Sequence, residues 1–524
     1  MKKIYLFIAG ALALLFNTAC TGDLDQTPVI GENSTTVYST LQGYQSVLAK
    51  IYGSYSLVGQ ERAGNVDLSS NKGQDLLRNL FNMQEAATDE VANTWLSGEQ
   101  LAPLTYMSWD ASDVWVADTY YRLYYSVALC NEFLRYCTDG AISGFTADEQ
   151  AEIRTYAAEA RFIRALDYWF VLDLFRKGPY VNEDTPTSAF IPEAYDGKQL
   201  YEFISSEIAA LEELLPDTAP YGRVSKAAAW ALGSRLALNG RVYTGEDHFT
   251  EAVTYCKKII STGRYSLESD YTKLFNADNH KRTNEVIFAF VADADMATTW
   301  GSATNIICSS CGNNSTQDPA KYGISNGWGN WRVRGELPAL FESAPADGRN
   351  LFWTDGQSQY FTDGITTDTQ GYFSEKWTNL TDEGVAASNS AERGCSTDYP
   401  LFRLAEVYLT AAEAVLRGGQ GMSRAEALAL VNDVRTRAFG DNSGNISDAQ
   451  FNLPFMLDER GRELYHEMHR RTDLVRFDSF TTAQRMWQWK GGVLDGKAVD
   501  ARYNIYPIPA SELSANPNLK NELY

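Results

Sequence analysis

Ser325 lies in GISNG (Gly323–Gly327), the spacing of a nucleophile elbow, where a strained strand-to-helix turn presents a serine for acyl transfer. The residues that follow, WGNWRVRG, carry no helical pattern, so the elbow lacks its context. His466 and His469 stand in YHEMH, one residue short of the HExxH spacing that sets two histidines on one helix face around zinc. The other histidines, His248 and His280, bring no third ligand into view. Cys308 and Cys311 form a CxxC with no second CxxC or histidine pair, so a disulfide or two free thiols is expected there and not a metal. No phosphate loop or dinucleotide fingerprint is present, and no carboxylate pair can be assigned as acid and base. These motifs predict a binder with no cofactor and no catalytic residue.

The aromatic residues carry the stronger signal. The chain has 30 Tyr, 24 Phe and 12 Trp. Tyr and Trp pair an apolar face with a polar tip and are enriched where a surface grips a ligand. Trp95 follows the polar run TDEVANT, Trp300 lies in ATTWGSAT, and Trp328 lies in NGWGNW. Such surroundings support a buried indole poorly, so these three are expected on the surface. Trp109, Trp115 and Trp169 fall on apolar helical stripes and are expected in the core. Trp487 and Trp489 are expected to pack on the helical base or face a partner. Nothing assigns Trp331.

The elements that must position these residues are mostly helices. Val37 onward places Leu41, Tyr44, Val47, Leu48, Ile51 and Tyr55 on one stripe. Ser112–Tyr136 is a second amphipathic run. Ala147–Phe175 is a third, with Thr146 and Glu149 as a capping box. Further helices are predicted over Lys198–Leu215, Ser225–Asn239, Thr250–Ser261, Leu401–Arg417, Ser423–Ala438 and Asp458–Phe477. Ser225–Thr262 and Leu401–Phe439 each have tetratricopeptide length. Residues 262–400, rich in Gly, Asn, Ser and Thr, read as irregular loops and small strands laid on that base. The expected class is all-α, a tetratricopeptide-like helix-hairpin base under a large loop-rich ligand-binding layer.

The 524 residues have a formal net charge of −22, which repels nucleic acid and anionic head groups. The first residues, MKKIYLFIAGALALLFNTAC, give a positive n-region, an apolar run too short to span a bilayer, and a small pair before Cys20. Residues 1–19 are expected to be a signal peptide. Cys20 is expected to carry lipid, including palmitate, as the only membrane attachment, and 20–36 to be a tether. Residues 37–261 and 262–524 are expected to form one body.

Four segments together resemble one family: EARFIRALDYWFVLDLFRKGPY (Glu159–Tyr180), LFRLAEVYLTAAEAVLR (Leu401–Arg417), DERGRELYHEMHRRTDLVRF (Asp458–Phe477) and YPIPASELSANPNLKNELY (Tyr506–Tyr524). With Cys20 followed shortly by DLDQTP, the chain resembles the RagB/SusD family of outer-membrane nutrient-binding lipoproteins of the Bacteroidetes. The resemblance implies a TonB-dependent, SusC-type barrel as partner, a place on the outer membrane facing outward, and capture of oligosaccharide for import. Asp23 and Asp25 are similar to the acidic export signal of such lipoproteins. The resemblance also implies structural ion pairs for Glu159, Arg161, Arg164, Glu459, Arg460, Glu463, Arg470, Arg471 and Asp473.

Phe81–Trp109 and Ser325–Trp331 are similar to the two ligand-bearing loops of the family's starch-binding founder. On that resemblance Trp95, Trp300 and Trp328 fall on its aromatic arc and Arg78 on a hydrogen-bonding arginine at the edge. The founder's flanking tryptophan falls on Asn93 and its contacting asparagine on Gly98. Asp278 and Asp398 fall on carboxylates of a calcium site, but two acids are too few to assert one. The first expectation is therefore a starch-binding surface lipoprotein. The alternatives are the same role for a fructan or host glycan, a peptide-binding or structural lid, or a surface glycosidase whose carboxylates cannot be located.

Overall fold

Thr146 Oγ1 accepts the Glu149 N–H at 3.3 Å while the Glu149 carboxylate accepts the Thr146 N–H at 2.9 Å. That reciprocal cap starts a helix over Ala147–Phe175, the range its sequence predicts. Asp196 with Gln199 and Ser423 with Glu426 close the same box ahead of Gly197–Leu214 and Arg424–Phe439.

The computed structural model describes residues 34–59, 66–68, 72–297, 299–313, 316–387 and 394–524. The expected signal peptide, Cys20 and the expected tether up to residue 33 lie outside the described residues. The chain divides into two compact units, Met1–Val47 and Leu48–Tyr524. In the first, Tyr38 meets Tyr44 edge to face at 5.1 Å.

In chain order the main elements are α1 (Leu41–Gly53), α2 (Leu76–Glu85), β1 (Val91–Asn93), α3 (Val114–Arg135), α4 (Ala147–Phe175), α5 (Gly197–Leu214), α6 (Lys226–Leu238) and α7 (Phe249–Ser261). There follow β2 (Val286–Phe290), α8 (Ser302–Ser310), β3 (Trp331–Val333), β4 (Tyr399–Arg403), α9 (Leu404–Leu416), α10 (Arg424–Phe439), α11 (Leu453–Leu464) and α12 (Arg470–Arg476). The class is all-α, 47% helix against 6% strand, with sheets of only two strands. Helices α3 to α7 pack each on the next, α7 on α9, and α9 on α10, as a helix-hairpin array does. Small residues bring α6, α7 and α9 close through Ala237, Ala252 and Ala414. Ala405, Leu409 and Ala412 of α9 meet Ala427, Val431 and Val434 of α10 and Met456 of α11. No helix among the described residues is long and apolar enough to cross a membrane.

Two predicted elements differ, and two helices were not predicted. Residues 399–403 are a strand and not the start of a helix, because Tyr399, Pro400, Phe402 and Arg403 pair antiparallel with β2. The helix predicted over Asp458–Phe477 breaks after Leu464. There the buried carboxylates of Glu90 and Glu85 accept the backbone N–H groups of His466 (2.9 Å) and Met468 (2.7 Å), and both residues take positive φ. Helices α2 and α8 were not predicted. All ten residues of α2 are buried, so it has no polar face to set against an apolar one.

The core is laced with ion pairs, as the resemblance implies. Arg403 binds Glu285, Glu463 and Glu467; Arg349 binds Asp347, Glu459 and Glu463; Arg476 binds Glu413 and Asp473. Arg460 pairs with Asp473, Arg471 with Asp173, and Arg470 with Asp89. Outside that cluster, Glu159 binds Arg223, and both Arg161 and Arg164 bind Glu207.

These pairs set an acid limit. Burial alone would raise Glu459 and Glu413, but the facing guanidiniums overcome it and hold both at about 2. Their stabilisation is complete above the unfolded carboxyl range, about pH 4.5, and is lost as pH falls through about 2. Glu90 acts with the opposite sign: burial raises it to about 7, so its contribution is lost as pH climbs from about 4.5 to 7. Thermal unfolding followed across pH is therefore expected to show maximal stability at about pH 5, with a steep acid fall. A melting temperature that is flat from pH 2 to 7 would contradict this.

Candidate functional site

Asp75 is the N-cap of α2, its Oδ1 accepting the Arg78 N–H at 2.9 Å. The same carboxylate accepts the Ser302 N–H at 3.2 Å, at the start of α8, and the Thr299 hydroxyl at 2.8 Å. One buried carboxylate thus serves two helix N-termini, where backbone N–H groups and the helix dipole both favour negative charge. A Cβ on Gly301 would overlap that carboxylate, so only glycine fits between Trp300 and α8. Arg78, on the first turn of α2, donates to the Trp300 carbonyl (3.3 Å) and to Gln74 Oε1 (3.0 Å).

A second device brings in the other two indoles. Strand β1 pairs antiparallel with β3, Asn93 opposite Trp331 and Val91 opposite Val333. The ladder continues through Thr94 N–H to the Asn330 carbonyl at 2.8 Å. Trp95 and Trp328 therefore flank the ends of paired strands. Asn93 Oδ1 accepts the Trp95 N–H at 2.8 Å and tightens the turn that carries this indole. Trp328 N–H donates to the Cys308 carbonyl at 2.7 Å, which hangs its loop on the last turn of α8. Gly327 is packed so closely on the Cys311 and Gly312 carbonyls that a Cβ would overlap them.

The three indoles converge on Trp328. Its ring centroid lies 6.1 Å from that of Trp95 at an interplanar angle of 28°, and 5.9 Å from that of Trp300 at 52°. Trp300 is 37% exposed, while Trp95 and Trp328 are half-buried. Arg78 is buried, not an exposed edge, with its guanidinium 5.8 Å from the ring centroids of both Trp328 and Trp115. Burial lowers its pKa, and Glu99 at 3.9 Å opposes the shift. Asn93 is buried beneath the turn, and a Cβ on Gly98 would meet nothing within 4 Å.

The remaining motifs fall as follows. Ser325 is exposed and the chain after it runs without helix into β3, so no elbow forms. His466 and His469 are buried in the break between α11 and α12, and burial followed by Lys376 lowers His466 to about 3, leaving it neutral. Cys308 and Cys311 are both buried and are not bonded to each other in this structure. Asp278 accepts the Asp382 N–H at 2.8 Å and faces Lys281 at 3.0 Å, and Asp398 accepts the Ala292 N–H at 2.7 Å. Among the described residues no group of three or more His, Cys, Asp or Glu is placed to hold a metal. Trp109, Trp115 and Trp169 are buried as expected; so is Trp331, and Trp487 packs on Phe480 and Lys490. Sequence reasoning missed Asp75, Thr299 and Gly301. Asp75 ahead of LLRNLF has the form of an N-cap, but its reach to Ser302 crosses more than two hundred residues.

Loops on an all-α base thus bring three indoles together around Trp328. The chain belongs to the SusD family. The family profile, SusD_RagB, matches residues 346–524. The starch-binding protein SusD of Bacteroides thetaiotaomicron is 33% identical, and the alignment covers 100% of both chains. SusD-like protein P25 of Formosa agariphila is 24% identical over 93% of this chain and 91% of its own. Among solved structures, a SusD superfamily protein of B. thetaiotaomicron superposes with TM-score 0.70 at 20% identity, covering 92% of this chain and 99% of that one. Surface glycan-binding protein A from the same organism, in complex with laminarihexaose, gives 0.69 at 20% identity over 92% and 99%. Members of the family are carbohydrate-binding proteins and not enzymes, and this chain is no enzyme.

Asp75→Ala is expected to uncap α2 and α8 together. Each lost cap costs about 1 kcal/mol, and the hydroxyl and N–H groups left unpaired add to it, for a total of about 2–4 kcal/mol. Urea unfolding followed by tryptophan fluorescence reads this cost. A loss below about 0.5 kcal/mol would show that the carboxylate does not hold the two helices.

Proposed function

We propose that this chain is a cell-surface glycan-binding lipoprotein that captures starch-type α-glucan on the Trp95–Trp328–Trp300 cluster and passes it to a TonB-dependent, SusC-type barrel. The observation that carries the reading is the convergence of three indoles, from separate segments, around Trp328. Sugar rings present patches of C–H that pack on indole faces, and their hydroxyl rims need fixed donors. Arg78 serves as that donor at the floor of the arc, its guanidinium oriented by Gln74 and the Trp300 carbonyl. The full-length similarity to a starch-binding protein supports an α-glucan. The part up to residue 261 contributes Trp95 and Arg78, and the part from 262 contributes Trp300 and Trp328, so the two work as one binding body.

One observation favours a second ligand, another polysaccharide such as a β-glucan or fructan. Asn93 and Gly98 stand where the starch-binding founder has a flanking tryptophan and an asparagine, and Asn93 is turned inward. Selectivity then rests on the three indoles and Arg78. Calorimetry with maltoheptaose, laminarihexaose and a fructan separates the two readings.

Trp300→Ala and Trp328→Ala are each expected to cost about 2 kcal/mol or more of binding, roughly thirtyfold in affinity for maltoheptaose. Trp300→Ala should leave the melting temperature nearly unchanged, because that ring is exposed. Binding equal to wild type in both variants would remove the cluster from the site.

The reading includes removal of residues 1–19 and acylation of Cys20, with 20–36 as tether to the outer membrane and the body facing outward. Cys20→Ser is expected to move the protein from the membrane fraction to the soluble fraction on cell fractionation. Retention in the membrane would contradict the anchor.

A further inference from the structure

Cys308 lies on the last turn of α8, and Thr304 lies four residues earlier on the same helix face. Cys395, just before β4, lies along that face: its N–H donates to Thr304 Oγ1 at 3.1 Å, one helical turn from Cys308, and Cys395 raises the pKa of the Cys308 thiol. Both residues are buried, 5% and 4% exposed. Cys311, the sequence neighbour that a CxxC suggests, is extended just past the end of α8, where its Sγ donates to the Gly312 carbonyl at 3.3 Å.

We propose that Cys308 and Cys395 are oxidised to a disulfide, which nothing in the family assignment requires. The inference rests on the reading that the chain is exported to an oxidising envelope. The oxidant is a disulfide-bearing thiol oxidase of that envelope. One cysteine thiolate attacks the oxidant's disulfide, giving a mixed disulfide and releasing one oxidant thiol. The second thiolate then displaces the other oxidant sulfur, which leaves as the second thiol. Two thiols thus become one S–S bond, and two electrons and two protons pass to the oxidant. The contact with Cys395 and burial both hold the Cys308 thiol in its protonated form once folded, so the bond forms before the site closes and then resists exchange.

The consequence lies in the binding surface. Helix α8 follows Trp300 at its start, under Asp75, and supports Trp328 through the Cys308 carbonyl at its end. The bridge fixes that end to the segment entering β4 and closes the long irregular chain between them.

The test produces the full chain by export into a bacterial periplasm, which supplies the oxidant whatever the native location, so its failure is distinct from failure of the anchor reading. Protein denatured in iodoacetamide without reductant is digested and mapped by mass spectrometry. The expected result is a linked Cys308–Cys395 peptide, with Cys130, Cys137, Cys256 and Cys311 alkylated. Alkylated Cys308 and Cys395, or a Cys308–Cys311 bridge, overturns the proposal. Reductant is also expected to lower the melting temperature of wild type and Cys311→Ser by several degrees and to leave Cys395→Ser unmoved. An equal response of all three overturns it as well.

Discussion

Charges taken out of water must find partners of opposite sign, and that requirement organises this molecule. Arg403, Arg349, Glu459 and Glu463 are all essentially buried, and each touches partners from distant parts of the chain. Desolvating them costs several kcal/mol apiece, which is recovered only when the whole set is in place. The set joins β4, the loop at Asp347–Arg349, α10 through Arg435 and Arg437, and α11. It is a specificity device more than a source of net stability, because a well-packed apolar core would hold the helices as well.

Buried carboxyl groups also hold the segments that carry the indole cluster. Asp89 takes Arg470 and Arg485, while Glu85 and Glu90 take backbone N–H groups from the break between α11 and α12. Those contacts fix the end of α2 and the chain entering β1. From there the pairing of β1 with β3 sets Trp95 beside Trp328. At the other end of α2, Asp75 binds the start of α8 and sets Trp300. The cluster is thus held from two sides by buried carboxyl groups, which suits the proposed glycan site, since such a site must be rigid before its ligand arrives.

Much of this was legible in the sequence. Thr146 and Glu149 mark the start of a long helix because their chemistry is local, and Trp109, Trp115 and Trp169 show their burial through apolar spacing. Polar neighbours predict a surface position for all three of Trp95, Trp300 and Trp328; Trp300 is exposed, while Trp95 and Trp328 are half-buried against each other. What was not legible depends on contacts between remote segments. Helix α2 hides because Arg78, Asn79, Asn82, Gln84 and Glu85 are buried polar residues, of which Arg78 reaches Trp300, Gln84 reaches Asp173 and Glu85 reaches Met468. The break after Leu464 is invisible because the carboxylates that divert its N–H groups come from residues 85 and 90. The strand at Tyr399–Arg403 continues an apolar run into α9, and only β2 decides where one ends and the other begins. Resemblance alone places Arg78 at the edge, and its burial depends on Trp115, Trp328 and the Trp300 carbonyl, which the sequence does not bring together.

The central claim is that glycan rests on the indoles gathered around Trp328. A crystal structure of the protein grown with maltoheptaose tests it most directly. The account expects glucose rings stacked on Trp95, Trp300 and Trp328, within van der Waals contact and with a hydroxyl turned toward Arg78. Ordered sugar bound elsewhere, with the three indoles bare, would contradict it.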